Sequence, residues 1–162
     1  MRVSSAVLSL RLVRDRTVRY SVPAMGNPSH AIALARAVIG DAPHETLIAI
    51  LLGAKTDVIG VHVCGIGGVS GVAVTLRDLF RAAVAANASS VVLAHNHPSG
   101  DPTPSSEDAA FTRKACEAGK LLGFPVVDHV IIGDPSRPAG DRAWSMSTKG
   151  DAEHRNIAEL EV

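Results

Sequence analysis

Apolar residues along this chain gather in short runs that glycine, proline and small polar residues separate. Unbroken apolar runs predict strands buried on both faces of a sheet, because a half-exposed strand alternates apolar with polar residues. Such strands are predicted at 46–52 (TLIAILL), 90–94 and 126–132, and a weaker pattern suggests a last strand at 143–147. Residues 58–64 follow a turn signal at 53–57, so they predict the second strand of a hairpin.

Three helices are predicted between these strands. Their start signals are an Asn-Pro pair or a Ser/Thr-x-x-Asp capping box, and their stop signals are Gly or Asn. They cover residues 28–39, 76 to about 88 and, after a cap at Ser105 or Ser106, 106 to about 122. Strands alternate with helices, and the one clear hairpin is antiparallel. The pattern therefore predicts an α/β domain with a mixed β-sheet flanked by helices.

Both ends of the chain differ from this pattern. Residues 4–20 alternate apolar with polar positions and predict one or two strands, so residues 1–27 are interpreted as a strand-rich extension before a domain at 28–147. The extension contains five arginines against one acid, a pattern more typical of a solvated face than of a basic binding patch. Residues 148–162 are interpreted as a polar C-terminal tail.

Composition narrows the classes of function. Basic and acidic residues balance at 16 each, which argues mildly against strong autonomous binding to DNA. Cys64 and Cys116 lack CxxC spacing and are expected to be reduced, buried side chains. No signal-peptide pattern opens the chain, and no apolar run reaches the roughly 20 residues that span a membrane. A cytoplasmic protein without a membrane partner is predicted.

The candidate chemistry lies in residues 93–110, LAHNHPSGDPTPSSEDAA. In an extended chain His95 and His97 point to the same side, and Asp108 lies in the first turn of the next helix. Two imidazoles and a carboxylate form a known ligand set for catalytic Zn²⁺, with a fourth position open to water. Taken singly, Ser105-x-x-Asp108 is also an ordinary capping motif, and the residues between are turn formers.

The joint pattern resembles a known family. H-x-H, seven residues and S-x-x-D form the motif of the JAB/MPN (JAMM) metalloprotease-like superfamily, and LAHNHPSGDPTPSSEDAAFTRKACEAGKLLGFPVVDHVIIGD resembles its RadC branch. The resemblance covers about residues 28–134 and implies the cytidine deaminase-like architecture of that superfamily. Asn96 stands between the histidines, as in RadC-like members, where many peptidase members have Ser or Thr.

The resemblance also implies a set of functional residues. His95, His97 and Asp108 would bind one Zn²⁺ per chain, and Ser105 would support the oxyanion or the bound water. Glu45, immediately before the strand TLIAILL, would be the general base. The implied reaction is hydrolysis of a peptide or isopeptide bond in a peptide or protein substrate.

Two other functions stay open. RadC-like proteins are associated with DNA repair, so the chain is alternatively an accessory module for repair or mobile elements, with a structural or vestigial metal site. Only about 27 residues precede the first helix, so the helical N-terminal domain of long RadC proteins is expected to be absent here, and DNA contact is not assumed. Hydrolysis of a phosphodiester is less favoured, because enzymes of that kind often pair two metals.

Three further histidines have open roles. His129 shares strand parity with Val127 and Ile131, which favours a structural side chain over a role beside the site. His44 is next to Glu45 and is a weaker candidate for the site wall. His62 alternates with apolar residues in the second strand and is expected to face solvent.

Overall fold

Strands and helices alternate as the sequence predicts. The computed structural model describes residues 5–6, 9, 11–21, 24–67 and 74–149. The strands are β1 (Thr46–Leu52), β2 (Val58–Ile66), β3 (Ser90–Asn96), β4 (Val126–Ile132) and β5 (Ala143–Ser145). The α-helices are α1 (Pro28–Ile39), α2 (Leu76–Ala85), α3 (Ser106–Leu122) and α4 (Met146–Lys149), and a 3₁₀ turn covers Ala139–Asp141.

The five strands form one sheet in the order β2-β1-β3-β4-β5. β3 pairs with β4 in parallel, and the other neighbours are antiparallel. A mixed α/β sheet is therefore confirmed. The central position of β3 matters for the site, because β1 and β4 flank it and place their own side chains beside its end.

The sheet has a hydrophobic layer on each face. Odd-numbered residues of β1 pack with α2 and α3, and even-numbered residues pack with α1 on the opposite face. Every residue of β1 is buried as a result. This two-sided burial explains the unbroken apolar run TLIAILL, since each face of the strand has its own covering helices.

Local signals placed α1, α2 and α3 correctly. The Asn27 side chain accepts a hydrogen bond from the backbone of His30 at the start of α1, and Pro28 is its first residue. α2 and α3 both begin with a complete capping box. α3 ends at Gly123, whose φ of 79° is in the left-handed region that favours glycine.

The predicted strand near the N-terminus is wrong for the residues that can be described. Residues 11–20 lie in no strand, and their side chains are exposed apart from the half-buried Val18. An alternating segment forms a strand only where another strand pairs with it and a layer covers its apolar side. Neither is present among the described residues: Leu12 and Tyr20 stay exposed, and Arg16 donates to the carbonyl of Val38 at 2.9 Å. The other residues of the 4–20 prediction, except 5–6 and 9, lie outside the described part of the chain.

The C-terminal prediction also changes. The last strand ends at Ser145, and residues 146–149 form the short helix α4 instead of continuing it. The buried Asp128 carboxylate accepts hydrogen bonds from the hydroxyls of Ser145 and Ser147 and from the Ser147 backbone. These bonds turn the chain out of the sheet. Residues 150–162 of the predicted tail lie outside the described part.

Both cysteines are free thiols, as expected. Cys64 is buried, and burial raises its thiol pKa to about 12. Cys116 is only half-buried, so the expectation of burial is confirmed for Cys64 and wrong for Cys116. Among the described helices, none has the length and apolar character needed to cross a membrane.

Candidate metal centre

The C-terminal end of β3 brings the two histidines together. β3 is two residues longer than predicted. His95 is therefore its buried penultimate residue, and His97 is the first residue after the strand. Both side chains face the same side, as the alternation of an extended chain requires. Their Nε2 atoms are 2.9 Å apart.

Asp108 reaches these histidines from the first turn of α3. Ser105 caps the helix: its hydroxyl donates to Asp108 Oδ2 at 2.6 Å and accepts from the Asp108 backbone at 3.1 Å. Asp108 Oδ1 lies 3.3 Å from His95 Nε2, and Oδ2 lies 3.4 Å from His97 Nε2. One ligand atom from each of His95, His97 and Asp108 lies within 4.8 Å of the others. The predicted triad is therefore assembled.

The electrostatics of this cluster favour a carboxylate. Burial opposes ionisation of Asp108, but its contacts with the His95 and His97 imidazoles and with the Ser105 hydroxyl outweigh it and hold its pKa far below the ordinary value. The hydrogen bond with Asp108 also raises the pKa of His97, while partial burial lowers it. A cation is thus favoured at this point, whether it is a proton on His97 or a metal ion.

The three side chains offer the ligand set of a tetrahedral metal ion. Ligands bound at about 2.0–2.1 Å to one tetrahedral Zn²⁺ lie about 3.3–3.4 Å apart, which matches the distances from His95 to Asp108 Oδ1 and from His97 to Asp108 Oδ2. The two histidine Nε2 atoms, at 2.9 Å, are closer than this and would have to move apart to bind such an ion. His97 Nδ1 lies 2.7 Å from the carbonyl of Asp101, which can only accept, so Nδ1 carries the proton of a neutral His97. His97 Nε2 then faces the cluster with a free lone pair.

Backbone packing holds the loop between the histidines and α3. The His97 backbone donates to the carbonyl of Ile132, and the Asp134 backbone donates to the carbonyl of Gly100. Gly100 has a φ of 79°, and a side chain at Gly133 would collide with the Gly100 carbonyl. The loop after β4 therefore fixes the ligand loop, in addition to the stiffness of its prolines.

Glu45 lines the same cavity as the triad. The cavity is open and has a volume of about 500 Å³. Glu45 is half-buried at the start of β1, next to the β3 end that carries the histidines. The described side chains around the cavity are Glu45, Leu47, Val74, His95, His97, Ser105, Glu107, Asp108, Phe111 and His129.

Asn96 has a role that the sequence did not indicate. It points to the opposite side from its histidine neighbours, where its Oδ1 accepts from the Thr46 backbone at 2.8 Å. Its Nδ2 donates to the carbonyls of His44 at 3.2 Å and Ala42 at 3.3 Å. These bonds hold the backbone of the residues immediately before and after Glu45, an arrangement called here the bracket around Glu45. The available signal was its place between two inward-facing residues of a strand, which sends the intervening side chain to the other face.

Of the other histidines, His129 differs from expectation and His44 does not. His129 is buried against the site, with Nε2 at 2.8 Å from His95 Nδ1, so it belongs to the site wall. Burial is the main cause that lowers the pKa of His129 well below the ordinary value, and the neighbouring His95 lowers it further. His44 is exposed and is absent from the described lining of the cavity.

The expectation that His62 faces solvent is wrong. The residue is half-buried, and its Nε2 is buried without a hydrogen-bond partner among the described residues. Burial also lowers its pKa. The reason is that β2 packs against α2, which covers this part of the strand.

The fold and the cluster together define an α/β domain with a candidate metal centre at the end of its central strand. A family model for the RadC-like JAB domain matches residues 25–150, and the chain belongs to this family. The resemblance drawn from the HNHPSG stretch is thereby confirmed.

The curated relatives found include several called UPF0758 protein. One from Desulforamulus reducens is 41% identical over 123 residues, which cover 76% of this chain and 52% of the relative. Another, from Methanococcoides burtonii, is 49% identical over 90 residues, or 56% of this chain and 39% of the relative. The chain spans about half the length of the first of these relatives.

Proposed function

We propose that this chain is a zinc-dependent hydrolase that cleaves a peptide or isopeptide bond. The observation that supports the proposal is the convergence of His95, His97 and Asp108 in an open cavity that also contains a second carboxylate, Glu45. A three-residue ligand set with access for water is typical of catalytic rather than structural zinc sites. A single three-ligand cluster also favours amide over phosphodiester hydrolysis, which often uses two metals.

Each residue has a distinct proposed task. Bound zinc would supply a Lewis acid that lowers the pKa of water and polarises the substrate carbonyl. Glu45 would take a proton from the attacking water and later deliver it to the leaving amine. The Ser105 hydroxyl would donate to the Asp108 carboxylate before the reaction and turn its single proton towards the oxyanion when that forms, while the Ser105 backbone N–H continues to hold Asp108.

The cavity walls are consistent with a peptide-like substrate. Leu47, Val74 and Phe111 form an apolar side, which suits the aliphatic parts of a peptide or of a lysine side chain. Polar and acidic groups lie on the remaining wall, where the scissile amide would be placed.

Metal content tests the proposal first. Purified protein should contain about one zinc per chain by inductively coupled plasma mass spectrometry, and His97→Ala should lose it. Glu45→Gln is the matched variant for the chemistry: it should keep zinc but lose at least about 100-fold in turnover on a panel of peptide and isopeptide-linked substrates. Absence of zinc from the wild type, even after zinc addition and dialysis, would exclude this function and favour an accessory module.

A further inference from the structure

A buried hydrogen-bond chain runs behind the metal centre, away from the cavity. His129 lies between the ligand His95 and Thr112, with 2.8 Å from His129 Nε2 to His95 Nδ1 and 2.6 Å from its Nδ1 to Thr112 Oγ1. Thr112 Oγ1 in turn lies 2.6 Å from the backbone carbonyl of Asp108. His95, Thr112 and His129 are all buried, with exposures of 1%, 5% and 2%.

The direction of every bond in this chain follows from the Asp108 carbonyl. A carbonyl only accepts, so Thr112 uses its one hydroxyl proton there and must accept from His129 Nδ1–H. A neutral imidazole carries one N–H, and therefore His129 Nε2 accepts from His95 Nδ1–H. His95 is left with an unprotonated Nε2, which faces His97 and Asp108.

We propose that His129 and Thr112 are positioning residues that fix the tautomer and ring orientation of His95 for metal binding. The inference rests on the proposed zinc site and adds the residues that prepare one of its ligands. The chain also links two ligands, since it starts at the His95 ring and ends at the backbone of Asp108. A ligand histidine commonly donates its second N–H to a carboxylate, carbonyl or water. Here the neutral imidazole of His129 accepts that N–H, and the Thr112 hydroxyl accepts from His129 in turn.

The comparison with His97 supports this role. His97 has its own acceptor, the Asp101 carbonyl in the ligand loop, and needs no further partner. His95 lies in the middle of the sheet, where its strand neighbours use their backbone groups in pairing with β1 and β4. A side chain must therefore accept its second N–H. His129 pairs with Leu93 across β3 and β4, and this register places its imidazole within reach.

Zinc affinity tests the proposal by competition with a chromophoric chelator. Thr112→Val keeps the shape of the side chain and removes the acceptor, so it should weaken zinc binding about 10-fold, and His129→Leu should weaken it by about 10–100-fold. Thr112→Ser should restore affinity to near the wild-type value. Thr112→Ala is less suitable, because a void of about 10 Å³ already lies beside Thr112 and its enlargement would admit a water that replaces the hydroxyl.

Leu34→Ala is the control for a general loss of stability. Leu34 is a buried residue of α1, which covers the opposite face of the sheet. This variant should therefore unfold more easily yet bind zinc like the wild type.

Imidazole ¹⁵N NMR of the metal-free protein at about pH 8.5 reads the tautomers directly. His95 and His129 should both be protonated at Nδ1, and Thr112→Val should abolish this preference. Finding His95 protonated at Nε2, or wild-type zinc affinity in both Thr112→Val and His129→Leu, would overturn this inference and leave the proposed function standing. Absence of zinc binding in the wild type would overturn it together with the proposed function.

Discussion

The starts of α2 and α3 carry the same local structure and differ in everything around it. Thr75 and Ser105 both donate a hydroxyl proton to the acid three residues later at 2.6 Å, and both accept from the backbone of that acid. At α2, outside the capping box, the one ion pair that the Asp78 carboxylate makes among the described residues is with the exposed Arg81, 3.9 Å away. At α3 the carboxylate of Asp108 meets two histidines from β3.

The difference shows what a capping box contributes to a functional site. In both helices it fixes the carboxylate at the third helical position and leaves one oxygen edge directed outwards. The Asp78 side chain is 33% exposed, whereas that of Asp108 is 15% exposed and faces the nearly inaccessible His95. The same local motif therefore becomes a ligand only where β3 ends beside it.

The largest expected difference between the two boxes is in metal binding. Asp108→Asn keeps the shape of the side chain and removes the charged ligand, so zinc affinity should fall by more than the 10–100-fold typical of an outer partner. Asp78→Asn is the matched control and should bind zinc like the wild type. Chelator competition measures both, and equal losses would show that Asp108 contributes only as a cap.

The two boxes should also respond differently to pH near neutrality. The pKa of His97 is raised by Asp108, so the His97–Asp108 pair stabilises the metal-free protein below about pH 6.5 and this contribution is lost as the pH rises through the raised pKa. Zinc binding should change in the opposite direction, because a proton on His97 Nε2 competes with the metal. Apparent zinc affinity should fall up to about tenfold per pH unit below that pKa.

Asp108→Asn is the reference for this pH test. The difference in free energy of unfolding between metal-free wild type and Asp108→Asn should shrink as the pH rises through the His97 pKa. The difference between wild type and Asp78→Asn should change much less there, since the pKa of Asp78 is lowered by its bonds to Thr75 and its charge is only the weakest of the influences on the pKa of His62. A difference for Asp108→Asn that grows with pH would contradict the assignment.

The smallest expected difference concerns the caps themselves. Thr75→Ala and Ser105→Ala should each lower the free energy of unfolding of the metal-free protein by about 1 kcal/mol, because each removes a side-chain cap. Only Ser105→Ala should also weaken zinc binding, by about 10-fold, because it frees the Asp108 carboxylate to move. Urea unfolding and chelator competition separate the two effects. A similar zinc loss in Thr75→Ala would attribute it to general destabilisation.

Much of the fold followed from signals between near neighbours in the sequence. The bounds of β1, β4 and α1 match their predictions, because apolar runs, caps and stop signals act over a few residues. The same local rules gave a wrong prediction at residues 11–20, where apolar and polar positions alternate but the segment pairs with no described strand and its side chains are mostly exposed. They also missed α4, which depends on the distant Asp128.

The candidate site divides in the same way. Strand alternation and the spacing of the motif were sufficient to predict that His95, His97 and Asp108 converge. The bracket around Glu45 by Asn96 and the chain from His95 through His129 to Thr112 were not predictable. The first joins residues 50 positions apart and the second joins residues 34 positions apart, whereas a single loop separates His97 from α3.

By itself, then, the sequence determined where α1–α3 and β1–β4 begin, and which residues could serve as ligands. Caps, alternation and turns are short-range effects that operate before the chain is assembled. Only the tertiary structure decided that one of two identical capping boxes faces a pair of imidazoles. That outcome depends on β3 pairing between β1 and β4, which brings together side chains from segments far apart in the chain.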